Sequence, residues 1–224
     1  MQSLHEHNER SQQAKILSML ARGAAVALIS DAGMPLISDP GGDLVKAAIV
    51  AEHTIIPVPG PSAAVTALIA SGLTASEFMF VGFLPPKQGA RLKKLQQLAA
   101  VQVTLLLYAP PHSLAAILAD AASVLDGARE CVVAREMTKM HEEFFRGTLH
   151  AAAEEFESRP AKGEVTLVIA GADPVDTSQD ANSALRSLME SGMPPSQAVA
   201  QVVRDFSVKR NSTYQLAMEI KAEM

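Results

Sequence analysis

The chain carries the stretch Ser30-Asp31-Ala32-Gly33-Met34-Pro35, which is followed closely by Ser38-Asp39-Pro40-Gly41-Gly42. Before it lies an apolar run, residues 24–29, which predicts a buried strand. After it, residues 43–50 have apolar side chains at helical spacing, with Asp43 as the expected N-cap. A carboxylate and a glycine-bearing loop therefore follow the end of a predicted strand, where open α/β sheets bind small molecules. An ordinary connection between a strand and a helix has the same spacing, so spacing alone does not separate the two interpretations.

A second loop of the same kind follows. Residues 54–58 predict a short strand, and Pro59-Gly60-Pro61-Ser62 then turns into a predicted helix over residues 63–70. Ser62 is the expected N-cap, and Ser71-Gly72 supplies the glycine expected at the helix C-terminus. The N-terminus of a helix presents unpaired N–H groups that can hold polar ligand atoms. Two such loops in succession indicate a shared binding site.

The order of the predicted elements indicates two α/β units and a helical extension. Helices and strands alternate over residues 1–84, which favours a parallel sheet with crossover helices. Residues 85–89 are rich in proline and glycine and form the predicted linker to a second α/β unit over residues 90–171. Residues 180–224 are predicted to be helical, and two helices within them suggest a helix-turn-helix. Those two helices span residues 196–206 and 212–222, and further strands are predicted at residues 78–83, 103–108, 131–135, 143–147 and 165–170.

Composition limits the partners of the chain. Its formal net charge of −5 excludes a protein that coats nucleic acid non-specifically, so RNA would have to meet a local basic patch. Aromatic residues make up only 4% and tryptophan is absent, which disfavours RNA binding by stacking alone. Solvated helix faces and connectors also carry such charges, so the basic patches alone leave the partner open. The candidate phosphate-binding residues are Lys87, Arg91, Lys93 and Lys94 after the linker, and Lys209 and Arg210 in the predicted helix-turn-helix.

The single cysteine, Cys131, excludes a disulfide within the chain and lies in a predicted buried strand, where a thiol is inert. His5 and His7 are close together, but their spacing is not that of a metal site, and we expect no metal. No apolar run approaches the ~18 residues needed to span a bilayer. We therefore expect a soluble chain with no membrane partner, in the cytoplasm or in an organelle such as a plastid or mitochondrion.

The loops described above and the motifs that follow them resemble the tetrapyrrole methylase superfamily. Within it, the chain most resembles the ribosomal small-subunit RNA methyltransferase I family, in uninterrupted order over residues 4–171. The chain departs from the family pattern at Met34, where threonine is usual, and at Gly42, where tyrosine is usual. The motifs are the stretch from Ser30 to Gly41, Pro57-Val58-Pro59-Gly60-Pro61-Ser62, Gly82-Phe83-Leu84-Pro85, Tyr108-Ala109-Pro110-Pro111-His112, Ala134-Arg135-Glu136-Met137-Thr138-Lys139, Glu142-Glu143-Phe144-Phe145-Arg146-Gly147 and Lys162-Gly163-Glu164-Val165.

This resemblance implies a fold of two α/β domains with the methyl-donor cleft between them. It implies S-adenosylmethionine as cofactor, small-subunit rRNA as partner, a homodimer, and methyl transfer to the ribose 2′-hydroxyl of a cytidine. Glu136 and Lys139 are the candidates for handling the hydroxyl proton, while Lys87, Arg91, Lys94, Lys209 and Arg210 are the candidates for RNA contact. By resemblance, the cofactor would be held by Asp31, Ala32, Gly33, Met34, Ser62, Ala63, Tyr108, Ala109 and Met137.

Members of the family begin with a further strand and a loop rich in proline and glycine, ahead of the region that matches residues 4–8. That loop forms one wall of the donor site, so we expect this chain by itself to bind S-adenosylmethionine weakly or not at all. Besides an rRNA methyltransferase, two alternatives stay open at this point. One is a methylase of a tetrapyrrole or another small molecule with the same fold, and the other is a non-catalytic remnant that keeps the fold.

Overall fold

A computed structural model gives the structure of residues 3–5, 8–173, 178–206 and 208–223; for residues 178, 179 and 223 it describes the backbone only. His7, which the sequence excluded from a metal site, lies outside the described residues. The chain divides into two compact units, unit 1 at Met1–Ala172 and unit 2 at Asp173–Met224. The division of unit 1 at residues 85–89 stays a prediction.

Unit 1 is built on one mixed sheet of five strands in the order β1-β2-β5-β3-β4. The strands β1 and β2 run parallel, whereas β2–β5, β5–β3 and β3–β4 are antiparallel pairs. All five strands lie within two residues of the predicted positions. Their bounds are β1 Phe78–Phe83, β2 Thr104–Ala109, β3 Glu130–Arg135, β4 Glu143–Thr148 and β5 Val165–Ile169.

Alternation along the central strands gives the sheet two buried faces. In β2, Leu105 and Leu107 pack into the larger core cluster, while Leu106 between them packs into a second cluster on the opposite face. Helix α3 covers the second face, and helices α4, α5 and α6 contribute their apolar sides to the larger cluster. The helices of unit 1 are α1 Glu9–Ala21, α2 Gly42–Val50, α3 Ala63–Ser71, α4 Gln88–Leu98, α5 Leu114–Leu125 and α6 Leu149–Ser158.

Two predicted strands are absent from the sheet. Residues 24–29 and 54–58 form no strand, and their apolar side chains are exposed, Ile29 by 70% and Val58 by 79%. An apolar run becomes a strand only when a neighbouring strand completes its hydrogen-bond ladder, and no described residue supplies one here. The expectation of a parallel sheet over residues 1–84 is therefore wrong for these two segments.

Helix α2 begins differently from its prediction. Its N-cap is Gly41, with φ of 116°, and the side chain of Asp43 does not cap it. Instead Glu9 of helix α1 accepts hydrogen bonds from the backbone N–H groups of Gly41 at 3.1 Å and Asp43 at 3.2 Å. A carboxylate placed there also complements the positive end of the helix dipole. The capping group thus comes from a distant part of the chain.

The described residues of unit 2 form three helices, α7 Ser178–Glu190, α8 Pro195–Phe206 and α9 Arg210–Glu223. Their apolar sides form a separate core that includes Leu185, Val199, Val202 and Ile220. The short connection between α8 and α9 fits the predicted helix-turn-helix. Helix α9 starts earlier than predicted, because the N–H and the hydroxyl of Thr213 both donate to the carbonyl of Lys209 and close its first turn.

None of the helices in the described ranges is long and apolar enough to cross a membrane. Cys131 in β3 is buried as predicted, and burial raises the pKa of its thiol to about 12.

Candidate active site

The loop of residues 30–41 is closed by contacts between its own residues. Ser30 donates a hydrogen bond from its hydroxyl to the Asp39 carboxylate, and it accepts one from the N–H of Ala32 at 3.2 Å. Leu36 and Ser38 both have positive φ, 73° and 61°, a conformation that side chains other than glycine rarely adopt. The pair formed by Ser30 and Asp39 therefore fixes a strained turn that exposes Asp31 and Ala32.

The second loop packs directly against the first. A Cβ atom at Gly33 would meet the carbonyl oxygen of Pro61 at 3.3 Å, and one at Gly60 would meet the Met34 side chain at 3.3 Å. Gly33 also has φ of +70°. Gly33 lets its backbone approach that of Pro61, and Gly60 leaves room for the Met34 side chain, so the two loops pack closely as a shared site requires. The structure thus joins the two loops that the sequence indicated separately.

Helix α3 begins at the second loop as predicted. Ser62 is its N-cap, and its hydroxyl accepts a hydrogen bond from the N–H of Val65 at 3.4 Å. Gly72 ends the helix in the left-handed conformation. In the first turn, the N–H of Val65 donates to the Ser62 hydroxyl and that of Ala64 to the Tyr108 hydroxyl, which leaves the N–H of Ala63 for a ligand.

Tyr108, near the carboxyl end of β2, lies where these elements meet. Its ring packs against Phe80 and Phe83 of β1, with ring centres 5.2 and 5.5 Å apart. Burial raises the pKa of the Tyr108 hydroxyl, a hydrogen bond from the Ala64 backbone opposes this, and the negative charge of Asp39 raises it further. Tyr108 is therefore a neutral phenol at physiological pH, positioned between α3 and the first loop.

The loop after β3 carries the predicted catalytic pair, Glu136 and Lys139. Glu136 accepts hydrogen bonds through Oε1 from the N–H of Glu164 at 2.9 Å and from Lys139 Nζ at 3.0 Å. Lys139 Nζ also donates to the Glu164 carboxylate at 3.1 Å. A Cβ atom at Gly163 would overlap the Glu136 side chain. Glu136 thus ties the β3–β4 loop to the loop before β5.

These contacts set the protonation states of the pair. The N–H of Glu164 and then Lys139 hold the pKa of Glu136 below its usual range. The hydrogen bonds to Glu136 and then to Glu164 raise the pKa of Lys139. A carboxylate with a lowered pKa is a weak base, so the arrangement favours holding the loop over accepting a proton. A catalytic role for the pair stays a prediction.

Met137 follows Glu136 and packs into the core cluster beneath α3, the cluster that Tyr108 also contacts. Ala109, next to Tyr108, is buried at the end of β2. The predicted cofactor residues therefore come from the two touching loops, the start of α3, the end of β2 and the β3–β4 loop. All of them belong to unit 1.

The predicted RNA-contact residues are divided between the units. Lys87 is exposed and Lys94 half-buried on unit 1, whereas Lys209 and Arg210 are exposed on unit 2. Arg91 is a correction, because its guanidinium turns inward and pairs with Asp120 of α5 at 2.6 Å, and it also donates to the Pro86 carbonyl at 3.0 Å. A buried and paired arginine does not belong to a phosphate-binding surface.

Sequence reasoning missed several residues that shape the site. Asp39, Phe83 and Glu164 stand in motifs without an assigned role, and Phe80 is not singled out. The repeated Ser-Asp dipeptide at residues 30–31 and 38–39 was the available signal for the first of these. The contacts of Tyr108 with Phe80 and Phe83 depend on strand register, and Glu136 and Glu164 are 28 residues apart in the sequence. No local sequence pattern predicts contacts of either kind.

Comparison with known proteins gives two family matches. Residues 1–153 match the family described as Tetrapyrrole (Corrin/Porphyrin) Methylases. Residues 175–221 match the RsmI C-terminal HTH domain. The second match coincides with the three-helix unit 2, which the structure separates from unit 1 at residue 173.

Relatives align over nearly the whole chain. The "Ribosomal RNA small subunit methyltransferase I" of Synechocystis is 44% identical over 99% of this chain and 81% of its own length. The protein of the same name from Mesorhizobium japonicum is 40% identical over 97% of this chain and 74% of its own.

Solved structures share the fold at low identity. The methyltransferase CobJ aligns over 73% of this chain and 72% of its own at 21% identity, with a TM-score of 0.57. A uroporphyrin-III C-methyltransferase of Thermus thermophilus, complexed with S-adenosyl homocysteine, aligns over 73% of each chain at 18% identity, with a TM-score of 0.51.

Proposed function

The chain belongs to the ribosomal RNA small subunit methyltransferase I family of the tetrapyrrole methylases, and we propose that it methylates the ribose 2′-hydroxyl of a cytidine in small-subunit rRNA. It is an S-adenosylmethionine-dependent methyltransferase of rRNA. The identity of the modified nucleotide as a cytidine, and of the acceptor atom as its 2′-oxygen, is the finer part of the proposal. The proposal rests on the 44% identity, over 99% of this chain, to the "Ribosomal RNA small subunit methyltransferase I" of Synechocystis.

The two touching loops fit the methyl donor. Gly33 lets its backbone approach the Pro61 carbonyl, and Gly60 leaves room for the Met34 side chain, so groups of both loops lie close together. Helix α3 adds the N–H of Ala63 in its first turn, which suits a carboxylate. When bound, S-adenosylmethionine supplies an electrophilic methyl group on a sulfonium. We propose that the residues holding it are Asp31, Ala32, Gly33, Met34, Ser62, Ala63, Tyr108, Ala109 and Met137.

The residues of the site act mainly by positioning. In-line displacement requires the accepting oxygen, the methyl carbon and the sulfur to lie on one line. Fixed backbone groups hold the methyl donor in one orientation at little entropic cost. The Ser30–Asp39 hydrogen bond fixes the first loop, and the Tyr108 hydroxyl accepts a hydrogen bond from the Ala64 backbone at the start of α3. Glu136 fixes the loop that carries Met137. We propose this positioning role for Glu136, with proton transfer by Glu136 or Lys139 as the alternative.

We also propose that the chain acts as a homodimer. Large apolar side chains are exposed on unit 1, and such surface in a folded protein marks an interaction site. Ile29, Ile56, Val58 and Ile69 are each at least 70% exposed. Light scattering after size exclusion should give twice the mass of one chain, which is 23.7 kDa. A monomer at all concentrations tested would contradict the dimer.

The test of the proposed reaction is product identity. Small ribosomal subunits are incubated with the chain and S-adenosylmethionine labelled on the methyl group, and the rRNA is digested to nucleosides. With the donor supplied at a concentration high enough to offset the weak binding expected of this chain, label should enter 2′-O-methylcytidine, because a methylated ribose oxygen survives digestion as a distinct nucleoside. Label in a base-methylated nucleoside would contradict the ribose as the site. Absence of label, with the Synechocystis relative active in parallel, would contradict methylation by this chain.

A further inference from the structure

Helix α9 of unit 2 has one side that the structure leaves exposed. Tyr214 is 47% exposed and Met218 is 36% exposed. Arg210, Tyr214, Met218 and Lys221 follow one another at spacings of three or four residues, so they lie along one stripe of the helix. An aromatic ring and a thioether therefore lie in solvent between two cations.

The adjoining side of α9 holds unit 2 together. Thr213, Ala217 and Ile220 are buried, and the latter two belong to the core formed with α7 and α8. The exposed stripe is thus not used in the packing of the unit. Asn211 and Gln215, which flank the stripe, are also exposed and offer amide donors and acceptors.

Charge on this side of the helix is positive despite the acidic chain. Lys209 immediately precedes α9, Arg210 begins it, and Lys221 lies roughly 16 Å from Arg210 along the axis at 1.5 Å per residue. Glu219 lies about 140° around the helix from Tyr214, at 100° per residue, so it does not neutralise the stripe. The chain as a whole has a net charge of −5, so a polyanion would bind at this local excess of cations and not to the surface in general.

We propose that the exposed stripe of α9 binds rRNA, with an unpaired base stacked on Tyr214 and phosphates held by Lys209 and Arg210. This inference rests on the proposed function, because it concerns the same substrate. The second helix of a helix-turn-helix is the one that meets nucleic acid. Base-paired RNA hides its base edges in a narrow groove, so proteins read unpaired bases, which they stack on aromatic rings. A single tyrosine flanked by cations fits one such base.

The test uses the full chain without S-adenosylmethionine, so that binding is measured apart from methylation. Two fluorescently labelled RNAs of equal length are compared by anisotropy: a hairpin with an unpaired loop and a fully paired duplex. We expect Tyr214→Ala to weaken hairpin binding about tenfold, the loss typical of one stacked base, and to leave duplex binding unchanged. Tyr214→Phe should bind like the wild type because it keeps the ring.

Charge variants test the phosphate contacts. Log affinity falls with log salt concentration, and each phosphate contact to a single strand contributes ~0.7 to the steepness of that fall. The double variant Lys209→Gln/Arg210→Gln should therefore make the fall shallower by about 1.4. Lys46→Gln is the matched control, because Lys46 is an exposed lysine on α2 of unit 1. It should leave the slope unchanged.

Tyrosine fluorescence gives a direct measurement that does not depend on the alanine variant. The chain has no tryptophan and two tyrosines, so the emission lost in Tyr214→Phe belongs to Tyr214. We expect the hairpin to quench that emission, whereas the duplex should not. Helical circular dichroism of each variant checks that unit 2 remains folded.

The outcomes separate this inference from the proposed reaction. If Tyr214→Ala binds the hairpin as tightly as the wild type, or if Tyr214 emission is unaffected by the hairpin, the inference is overturned, while the nucleoside assay still decides the reaction. Equal binding of hairpin and duplex also overturns it, as does a wild-type chain that binds neither RNA.

Discussion

Arg91 and Asp120 form an ion pair of 2.6 Å between helices α4 and α5, and both side chains are less than a tenth exposed. Asp120 also accepts a hydrogen bond from the Gln88 amide at 3.0 Å, so both carboxylate oxygens are used. Charges this deeply buried are tolerated because each one has its partner. The pair therefore joins two helices of the larger core.

Removing one member of this pair should destabilise unit 1. We expect Arg91→Ala to lower the free energy of unfolding by about 3–5 kcal/mol, because Asp120 would stay buried without its cation. Replacing both members by apolar residues of similar size, Arg91→Met with Asp120→Leu, should cost far less. Denaturant unfolding, followed by a probe in unit 1, measures both. Equal losses for the single and the double variant would contradict this account.

Gly163 should tolerate no side chain. Its φ of +81° is strained for alanine, at a cost of about 1–2 kcal/mol, and a Cβ atom would also overlap the Glu136 carboxylate. Gly72, with φ of +85° and nothing within 4 Å of its Cβ position, isolates the backbone strain from the collision. In thermal unfolding we expect Gly163→Ala to lose more stability than Gly72→Ala. Equal losses would mean that Glu136 moves aside at no cost.

Glu136 should make stability depend on pH in the acid range. Its pKa is lower in the folded chain than in the unfolded chain, so its contribution is present above the unfolded value of about 4.3 and is lost as pH falls through the folded value. Glu136→Gln should therefore be less stable than the wild type at pH 7, with the difference vanishing in strong acid. Glu157→Gln, at an exposed position on α6, is the control. A difference that is constant with pH would contradict the linkage.

The same variant separates positioning from proton transfer. If Glu136 only fixes the loop that carries Met137, Glu136→Gln should raise KM for S-adenosylmethionine and leave kcat unchanged. Methyl transfer to rRNA at pH 7.5, where Glu136 is ionised because its pKa is lowered, decides between the roles. A fall in kcat of about 100-fold or more would support the alternative role as a base.

Loss of the Asp39 carboxylate should weaken binding at the methyl-donor site and change the stability of the fold little. Asp39→Ala removes the acceptor of the Ser30 hydroxyl, so the first loop loses the contact that closes it. We expect about tenfold weaker binding of S-adenosylhomocysteine in calorimetry, equivalent to about 1.4 kcal/mol. Asp43→Ala is the control, because the contact to Glu9 uses the backbone N–H of Asp43. Unchanged affinity in Asp39→Ala would remove this loop from the donor site.

Cys131 should report on unfolding of the sheet. Burial raises the pKa of its thiol to about 12, so almost none is ionised at pH 8. We expect the native chain to resist a thiol-reactive dye and the denatured chain to take up one equivalent, since it has a single cysteine. Fast labelling of the native chain would show that β3 opens locally.

Local patterns in the sequence were sufficient for much of the fold. Short apolar runs predicted strands such as β2, β3 and β5, because a strand in a sheet that is covered on both faces must be apolar on both of its sides. Ser62 and Gly72 marked the ends of α3, since an N-cap and a left-handed C-cap are properties of a few adjacent residues. The order of the motifs indicated the family, and the two loops indicated the site.

The tertiary structure alone decided the features that depend on distant partners. Arg91 had the charge and helical position of an RNA contact, but Asp120, 29 residues away, turns it inward. Glu136 and Lys139 had the chemistry of a catalytic pair, and Glu164 makes them part of a link between loops. Residues 24–29 had the composition of a strand without a neighbour to complete its ladder. A sequence pattern records what a residue is able to do, whereas the fold decides which partner lies within reach.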